Sequence, residues 1–221
     1  MMLEIRDYDL ADRRLLEDTE TAFAHLVWRP AQTVIVIGKG NKPELAVFAE
    51  TVLVDGVPVL RRPSGGEAVI LSPDMLCVSS VHNSEIQQPS RLYFRHYNGL
   101  IMHALQALEI TGVGHQGISD LAVDGRKILG SSIYRNKNRV FYHAVLNVAG
   151  GNDLMERYLC MPQREPDYRL QRSHAAFVTS LRGLGYQLDL ESLQQQISLE
   201  FDRSGMVSGN NGAAGLSSAS P

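Results

Sequence analysis

The pattern of apolar and polar positions divides the chain into short β-type runs framed by helical stretches. Between residues 9 and 27, Leu15, Leu16, Thr19, Phe23 and Leu26 approximate a helical stripe. Asp9 can cap it and Pro30 ends it, so a first helix is predicted. The run TVIVIG (33–38) is β-branched and stops at a glycine, the mark of a buried strand. VPVLRR (57–62) and EAVIL (67–71) predict two strands joined by a turn at Pro63-Ser64-Gly65-Gly66, and LCVSSV (76–81) predicts a further one. Pro89 and Ser90 open a helix whose Tyr93, Tyr97, Leu100, Ala104 and Leu108 share a face. LAV (121–123), KILGSSI (127–133) and VFYHAVLNV (140–148) are separated by Asp124-Gly125 and by the polar stretch 135–139. These connections predict an antiparallel meander.

The C-terminal part reads as helical. Ser173 can cap a segment carrying Phe177, Val178 and Leu181, with Gly183 closing it. Ser192 and Gln195 form a capping-box pattern ahead of Leu193, Ile197 and Phe201. From Ser204 the chain is rich in Gly, Ser and Ala and has too few large apolar groups to offset its ordering entropy. The expected organisation is therefore one α+β domain over residues 1–203, followed by a disordered tail over 204–221. Its core would be a central mixed, largely antiparallel β-sheet flanked by helices.

Composition narrows the function. At 221 residues and 44% hydrophobic, the chain can bury a single sizeable core. A net charge of −3 argues against broad attraction to nucleic acid or an anionic membrane, so neither is an expected partner. Two cysteines, Cys77 and Cys160, are too few for a disulfide framework and suit a reducing compartment. No apolar run reaches membrane-spanning length and the N-terminus has no signal-peptide core, so a soluble cytoplasmic protein is expected.

Three segments carry candidate chemistry. In Arg62-Pro63-Ser64-Gly65-Gly66-Glu67, adjacent glycines let the backbone approach a ligand and offer N–H groups to phosphate oxygens. Arg62 adds a forked donor suited to phosphate or carboxylate, although a glycine pair between strands is also an ordinary turn. Lys127 begins an otherwise apolar strand that ends in small residues. It is either a solvated strand lysine or a compact cation pointed into a cleft, holding a carboxylate and a phosphate together. His143, on one strand face with Phe141, Val145 and Asn147, is either a hydrogen-bonded core residue or a catalyst. Asp120 is a turn residue by default and could otherwise serve a metal or adenine. The closely spaced histidine and carboxylate pattern of a zinc site is absent, and no protein metal site is expected.

These pieces in this order resemble the lipoate–protein ligase family, within the biotin/lipoate ligase superfamily. WRPAQTVIVIGKGNKPE (28–44) is similar to the segment around the family's first core strand. RRPSGGEAV (61–69) resembles its motif of two arginines before a serine and three glycines. GISDLAVDGRKILGSSIYR (117–135) resembles the stretch with its invariant lysine, and FYHAVLNV (141–148) its HisHisGly strand. The resemblance implies a biotinyl/lipoyl-ligase-like fold and a two-step reaction. Lipoate or octanoate would attack the α-phosphate of ATP, giving an acyl-adenylate, and a carrier-domain lysine would then take the acyl group and release AMP. By the same resemblance, Lys127 would contact the carboxylate and the α-phosphate. The ATP or acyl-adenylate would be bound by Arg62, Ser64, Gly65, Gly66, the main chain of Glu67, Ala68, Val69 and Ile70, and Asp120 beside the nucleotide or Mg²⁺. His143 and Val145 would line the acyl pocket. The implied partner is a lipoyl carrier protein, such as a glycine-cleavage H-like protein or a 2-oxoacid dehydrogenase E2 domain, with a separate accessory subunit as a further possibility. The basic stretch Arg135, Lys137 and Arg139 would meet its acidic surface.

The sequence departs from the family pattern at Glu67, which replaces the third glycine and could pair with Arg61, and at Tyr142 and Ala144 of the histidine strand. Two other readings stay open. One is an octanoyl or lipoyl transferase using an acyl-carrier donor, which would need a reactive cysteine. The other is an inactive lipoyl- or acyl-binding protein.

Overall fold

The computed structural model describes residues 3–83 and 87–210. The chain runs through β1 (Arg6–Asp7), α1 (Arg13–Glu17), β2 (Phe23–Trp28), β3 (Val34–Ile37), α2 (Pro43–Ala46), α3 (Ala49–Asp55), β4 (Val59–Arg61), β5 (Val69–Leu71) and β6 (Met75–Asn83). It continues through α4 (Ser90–Ala107), β7 (Gly114–Gln116), β8 (Asp120–Val123), β9 (Arg126–Asn136), β10 (Arg139–Asn147), α5 (Asp153–Tyr158), α6 (His174–Phe177) and α7 (Leu190–Asn210). The strands form an antiparallel six-stranded sheet in the order β2-β6-β10-β9-β8-β7 and a mixed four-stranded sheet in the order β1-β4-β3-β5. This is the expected α+β architecture. Among the described residues, no helix is long and apolar enough to cross a membrane.

The period of two along β10 explains the layering. Val140, Tyr142, Ala144 and Leu146 belong to one buried cluster with Tyr97, Ile101 and Leu105 of α4 and Leu193, Ile197 and Phe201 of α7. His143 and Val145 alternate with them and face the four-stranded sheet. β3 is buried at all four positions. Val34 and Val36 pack with Trp28 and Cys77 of the large sheet, while Ile35 and Ile37 pack with Val52 of α3 and Tyr158 of α5. A continuous apolar run is what a strand covered on both faces requires.

The predicted helix over 9–27 is corrected: only Arg13–Glu17 is helical, and Phe23–Trp28 is an edge strand. Asp18 stops the helix by accepting from the backbone N–H groups of Glu20 and Thr21. The strand is apolar on both faces, Val27 toward α4 and α7, Leu26 and Trp28 toward the small sheet. That two-sided pattern also mimics a helical stripe. The pair β4 and β5 is not a hairpin, because β3 lies between them, parallel to β4 and antiparallel to β5.

At the C-terminal end, Ser173 caps as expected, but α6 lasts one turn before Val178 bridges to Lys127. Asp189, not Ser192, caps α7 by accepting from the Ser192 N–H and hydroxyl. This helix passes residue 203 and reaches Asn210; residues 211–221 of the expected tail lie outside the described residues. Arg139 is 7% exposed, its guanidinium donating to Leu15 O and Asn83 Oδ1, so it is no part of an exposed basic tip.

Candidate active site

Between the two sheets lies a cleft of about 1190 Å³. Its wall on one side is the loop 62–68, which carries β4 over the end of β3 into β5. Arg62 shapes this loop. Its buried guanidinium donates to the carbonyls of Val36, Gly65 and Glu67 and to Ser64 Oγ, so every polar branch of the side chain is engaged by its own surroundings. Burial pushes it down to about 10, which leaves it a cation at neutral pH. Gly66 adopts φ +93°, where a Cβ would lie 2.9 Å from Arg62 Nη2. A Cβ at Gly38 would strike the Gly66 carbonyl oxygen, so two backbones meet there without side chains.

Ser64 stands behind the loop and joins it to the large sheet. It accepts from Arg62 Nε at 3.0 Å and lies 2.7 Å from His143 Nε2. Burial and the neighbouring Arg62 charge push the His143 imidazole down to about 3. Neutral His143 therefore accepts the Ser64 hydroxyl proton, completing an Arg62→Ser64→His143 chain. Ser132 Oγ donates to Gly65 O at 3.0 Å and ties the same loop to β9. Arg61 donates to the carbonyls of Gly38, Lys39 and Asn41, so the expected Glu67–Arg61 pair does not form.

Opposite the loop, Lys127 extends along β9. Its Nζ is 2.8 Å from Asp120 Oδ1, and Asp120 Oδ2 accepts from the Tyr168 hydroxyl at 2.8 Å. Asp120 is 5% exposed, whereas the Lys127 side chain retains 28% exposure toward the cleft. A Cβ at Gly130 would lie 2.8 Å from Lys127 Nζ, so the ammonium rests over the space which that glycine leaves open. The Lys127 carbonyl accepts from Thr179 N, fixing the strand at its root.

The register across the large sheet defines the floor of the cleft. Asp120, Gly130, Val145, Cys77 and Trp28 are neighbours in turn across β8, β9, β10, β6 and β2. The row therefore runs from the charged Asp120–Lys127 end over apolar Val145 and Cys77 to Trp28, where Tyr8, Asp12 and Ser79 form a second polar group. Val36, Val69 and Leu71 of the small sheet also line the cleft.

The structure brings the expected site residues together. Arg62, Gly65, Gly66, Glu67, Ala68, Val69, Ile70, Asp120, Lys127, His143 and Val145 line the one cleft, while Ser64 lies behind its wall. Tyr168 and the trio Tyr8, Asp12 and Ser79 at the far end were missed. Asp12 falls in the first turn of the helix predicted from Asp9, and the stretch around Tyr168 has no local signature. Both cysteine thiols are pushed up by burial, and Cys77 is wholly enclosed. Among the described residues, no cluster of three or more histidine, cysteine or acidic side chains could hold a metal.

Two sheets closing on a cleft of this kind are the fold of lipoate-protein ligases. A bi-partite lipoate protein ligase from Thermoplasma acidophilum, studied with its E2 lipoyl domain, superposes with TM-score 0.75 at 17% identity, over 93% of this chain and 85% of that one. A lipoate-protein ligase A bound with ATP superposes at 0.72 and 17%, over 93% and 84%. By sequence, lipoate-protein ligase LplJ of Bacillus subtilis is 31% identical over 124 residues, 55% of this chain and 36% of its own length. The matched stretch thus spans about a third of the curated relatives. The chain belongs to the lipoyl protein ligase A/B catalytic domain family, whose model matches residues 6–202.

Proposed function

We propose that this chain activates lipoate with ATP, forming lipoyl-AMP and pyrophosphate, and transfers the lipoyl group to a lysine of a carrier domain. The observation that carries the reading is the placement of Lys127 Nζ over Gly130, at the charged end of a row that continues over apolar Val145 and Cys77. An acid whose chain lies on that floor presents its carboxylate to the ammonium. An α-phosphate approaching from the glycine loop meets the same cation. One charge then offsets the repulsion between two anions and holds them for in-line attack.

Asp120 and Tyr168 orient the lysine, so its ammonium does not have to be positioned during the reaction. Gly65 and Gly66 leave the loop wall free of side chains where phosphates pass. Mg²⁺ would enter on the phosphate oxygens, on the side of the cleft where Asp120 lies beside Lys127. In the second step the carrier amine attacks the mixed anhydride and AMP leaves. Two thiols held neutral by burial favour this route over a cysteine thioester formed from an acyl-carrier donor.

Lipoate-dependent exchange of labelled pyrophosphate into ATP tests the reading. Exchange that vanishes in Lys127→Ala is expected. A folded protein that binds lipoate yet shows no exchange would refute adenylation by this chain alone.

A further inference from the structure

Tyr168 holds Asp120, yet Tyr168 itself stands in the connection between α5 and α6, outside both sheets. The backbone of this connection is not a relaxed one. After the turn 167–169, Leu170 and Gln171 follow one another in the left-handed region, at φ +52° and +58°. Neither is a glycine, and such residues persist where their surroundings hold them. Whatever holds them also places Tyr168.

Arg172 supplies that hold. Its Nε donates to Arg169 O at 2.9 Å and its Nη2 to Tyr168 O at 2.8 Å, so one guanidinium closes the chain across both left-handed residues. The same Nη2 donates to Gly125 O at 2.9 Å, in the turn between β8 and β9, two residues before Lys127. The rigid fork of arginine reaches three carbonyls at once, which a single ammonium on a flexible stem does not. Arg169 returns a bond from its Nε to Arg172 O at 3.0 Å.

The aromatic side of the arrangement fixes the ring. Phe177 lies 5.0 Å from the Tyr168 ring, and the Arg169 and Arg172 guanidiniums stand 4.8 and 5.2 Å from the Phe177 centroid. Just beyond Phe177 the chain meets Lys127 again. Val178 bridges to it, and Thr179 N donates to its carbonyl at 2.9 Å. One segment thus grips Lys127 at both ends, the main chain through Thr179 and the ammonium through Tyr168 and Asp120. Arg172 lies between the two grips and sets their spacing.

We infer that Arg172 is a positioning residue for the reaction at Lys127, acting through Tyr168 and Asp120 by fixing the left-handed turn to the β8–β9 corner. The inference rests on the ligase reading above. Arg172 acts through its neighbours rather than on substrate.

Lipoate-dependent pyrophosphate exchange by the full chain tests it, with kcat and KM measured for Tyr168→Phe, Arg172→Met, Arg172→Lys and the double variant Tyr168→Phe/Arg172→Met. Methionine keeps an apolar stem beside Phe177 and removes the fork. Tyr168→Phe and Arg172→Met should each lower kcat about tenfold, with the KM for lipoate within about twofold, the signature of an interaction used in the transition state. Because both changes lie on one path, the double variant should fall no further than the more impaired single variant. Arg172→Lys should lose about as much, since its ammonium cannot replace the fork. A merely structural role predicts instead lower thermal midpoints with kcat per folded molecule unchanged. Should Arg172→Met not fold, the same comparison is made with Arg172→Lys in its place. Losses that multiply in the double variant, or an undiminished kcat in Arg172→Lys, overturn this inference and leave the ligase reading standing. An unaltered chain that shows no exchange overturns both.

Discussion

Lys127 Nζ lies 2.8 Å from Asp120 Oδ1 and occupies the space where a Cβ on Gly130 would stand. The two residues are held on adjacent strands, with Asp120 opposite Gly130 and a register irregularity at Leu121/Ala122 bringing Ala122 opposite Lys127. A bulge of this kind re-aims side chains. Here the lysine leans along the cleft rather than out of the sheet, and the carboxylate restrains it. The pair is valuable for position more than for stability, since a partly exposed ion pair contributes modestly.

Gly130→Ala separates position from stability. The new methyl meets the flexible end of Lys127 rather than backbone, so the lysine yields and the fold does not. Lipoate-dependent pyrophosphate exchange should fall about 10- to 100-fold, the scale of an ångström-sized misplacement. The thermal midpoint should stay nearly unchanged. Normal exchange would show that the ammonium need not lie over residue 130.

Gly38→Ala perturbs the opposite wall. Its methyl strikes the backbone carbonyl of Gly66, which cannot step aside without moving the loop that Arg62 holds. A loss of about 1–3 kcal/mol in urea unfolding is expected. Affinity for ATP should weaken more than affinity for lipoate.

His143 makes stability depend on acidity. Its folded-state value is depressed to about 3, while the unfolded chain titrates near the ordinary 6.5. Between these values the unfolded state binds a proton that the folded state refuses, so stability falls as pH drops from about 6.5 toward 3. His143→Gln, whose amide oxygen can still accept from Ser64, should lower the slope by about 1.4 kcal/mol per pH unit. Urea midpoints at several pH values measure this. His25, His82, His96, His115 and His174 are also lowered by burial, so a reduced slope remains in the variant.

Glu67 places a carboxylate on the cleft wall where phosphates would pass. Glu67→Gln should lower the KM for ATP about threefold, as expected for removing one screened like charge. The gain should shrink as salt rises, with the KM for lipoate unaltered. A higher KM for ATP would instead assign Glu67 to binding the metal–nucleotide complex.

Much of this arrangement is legible in the order of residues. The two-sided apolar run of β3, the alternation in β10 and the stripe of α4 each state their burial through local periodicity. The glycines of the 62–68 loop and Lys127 ahead of small residues mark the cleft walls. Legibility fails where one pattern serves two structures. Phe23 to Trp28 is apolar on both faces, which suits a helix or a doubly covered strand equally. Arg139 looks like a surface charge until α1 and Asn83 cover it.

By itself, then, the sequence determined the strands β3 to β6 and β8 to β10, the helices α4 and α7, the glycine loop and the charged and neutral groups available for chemistry. These depend on backbone preferences and on periodicity over a few residues. Only the tertiary structure decided that β3 separates β4 from β5 and that Ser64 meets His143. It also turned Asp12, a helix-start residue by sequence, inward to Ser79, 67 positions away. Such contacts join residues far apart in the chain. Their partners are selected by the simultaneous burial of many side chains, a condition that no local stretch contains.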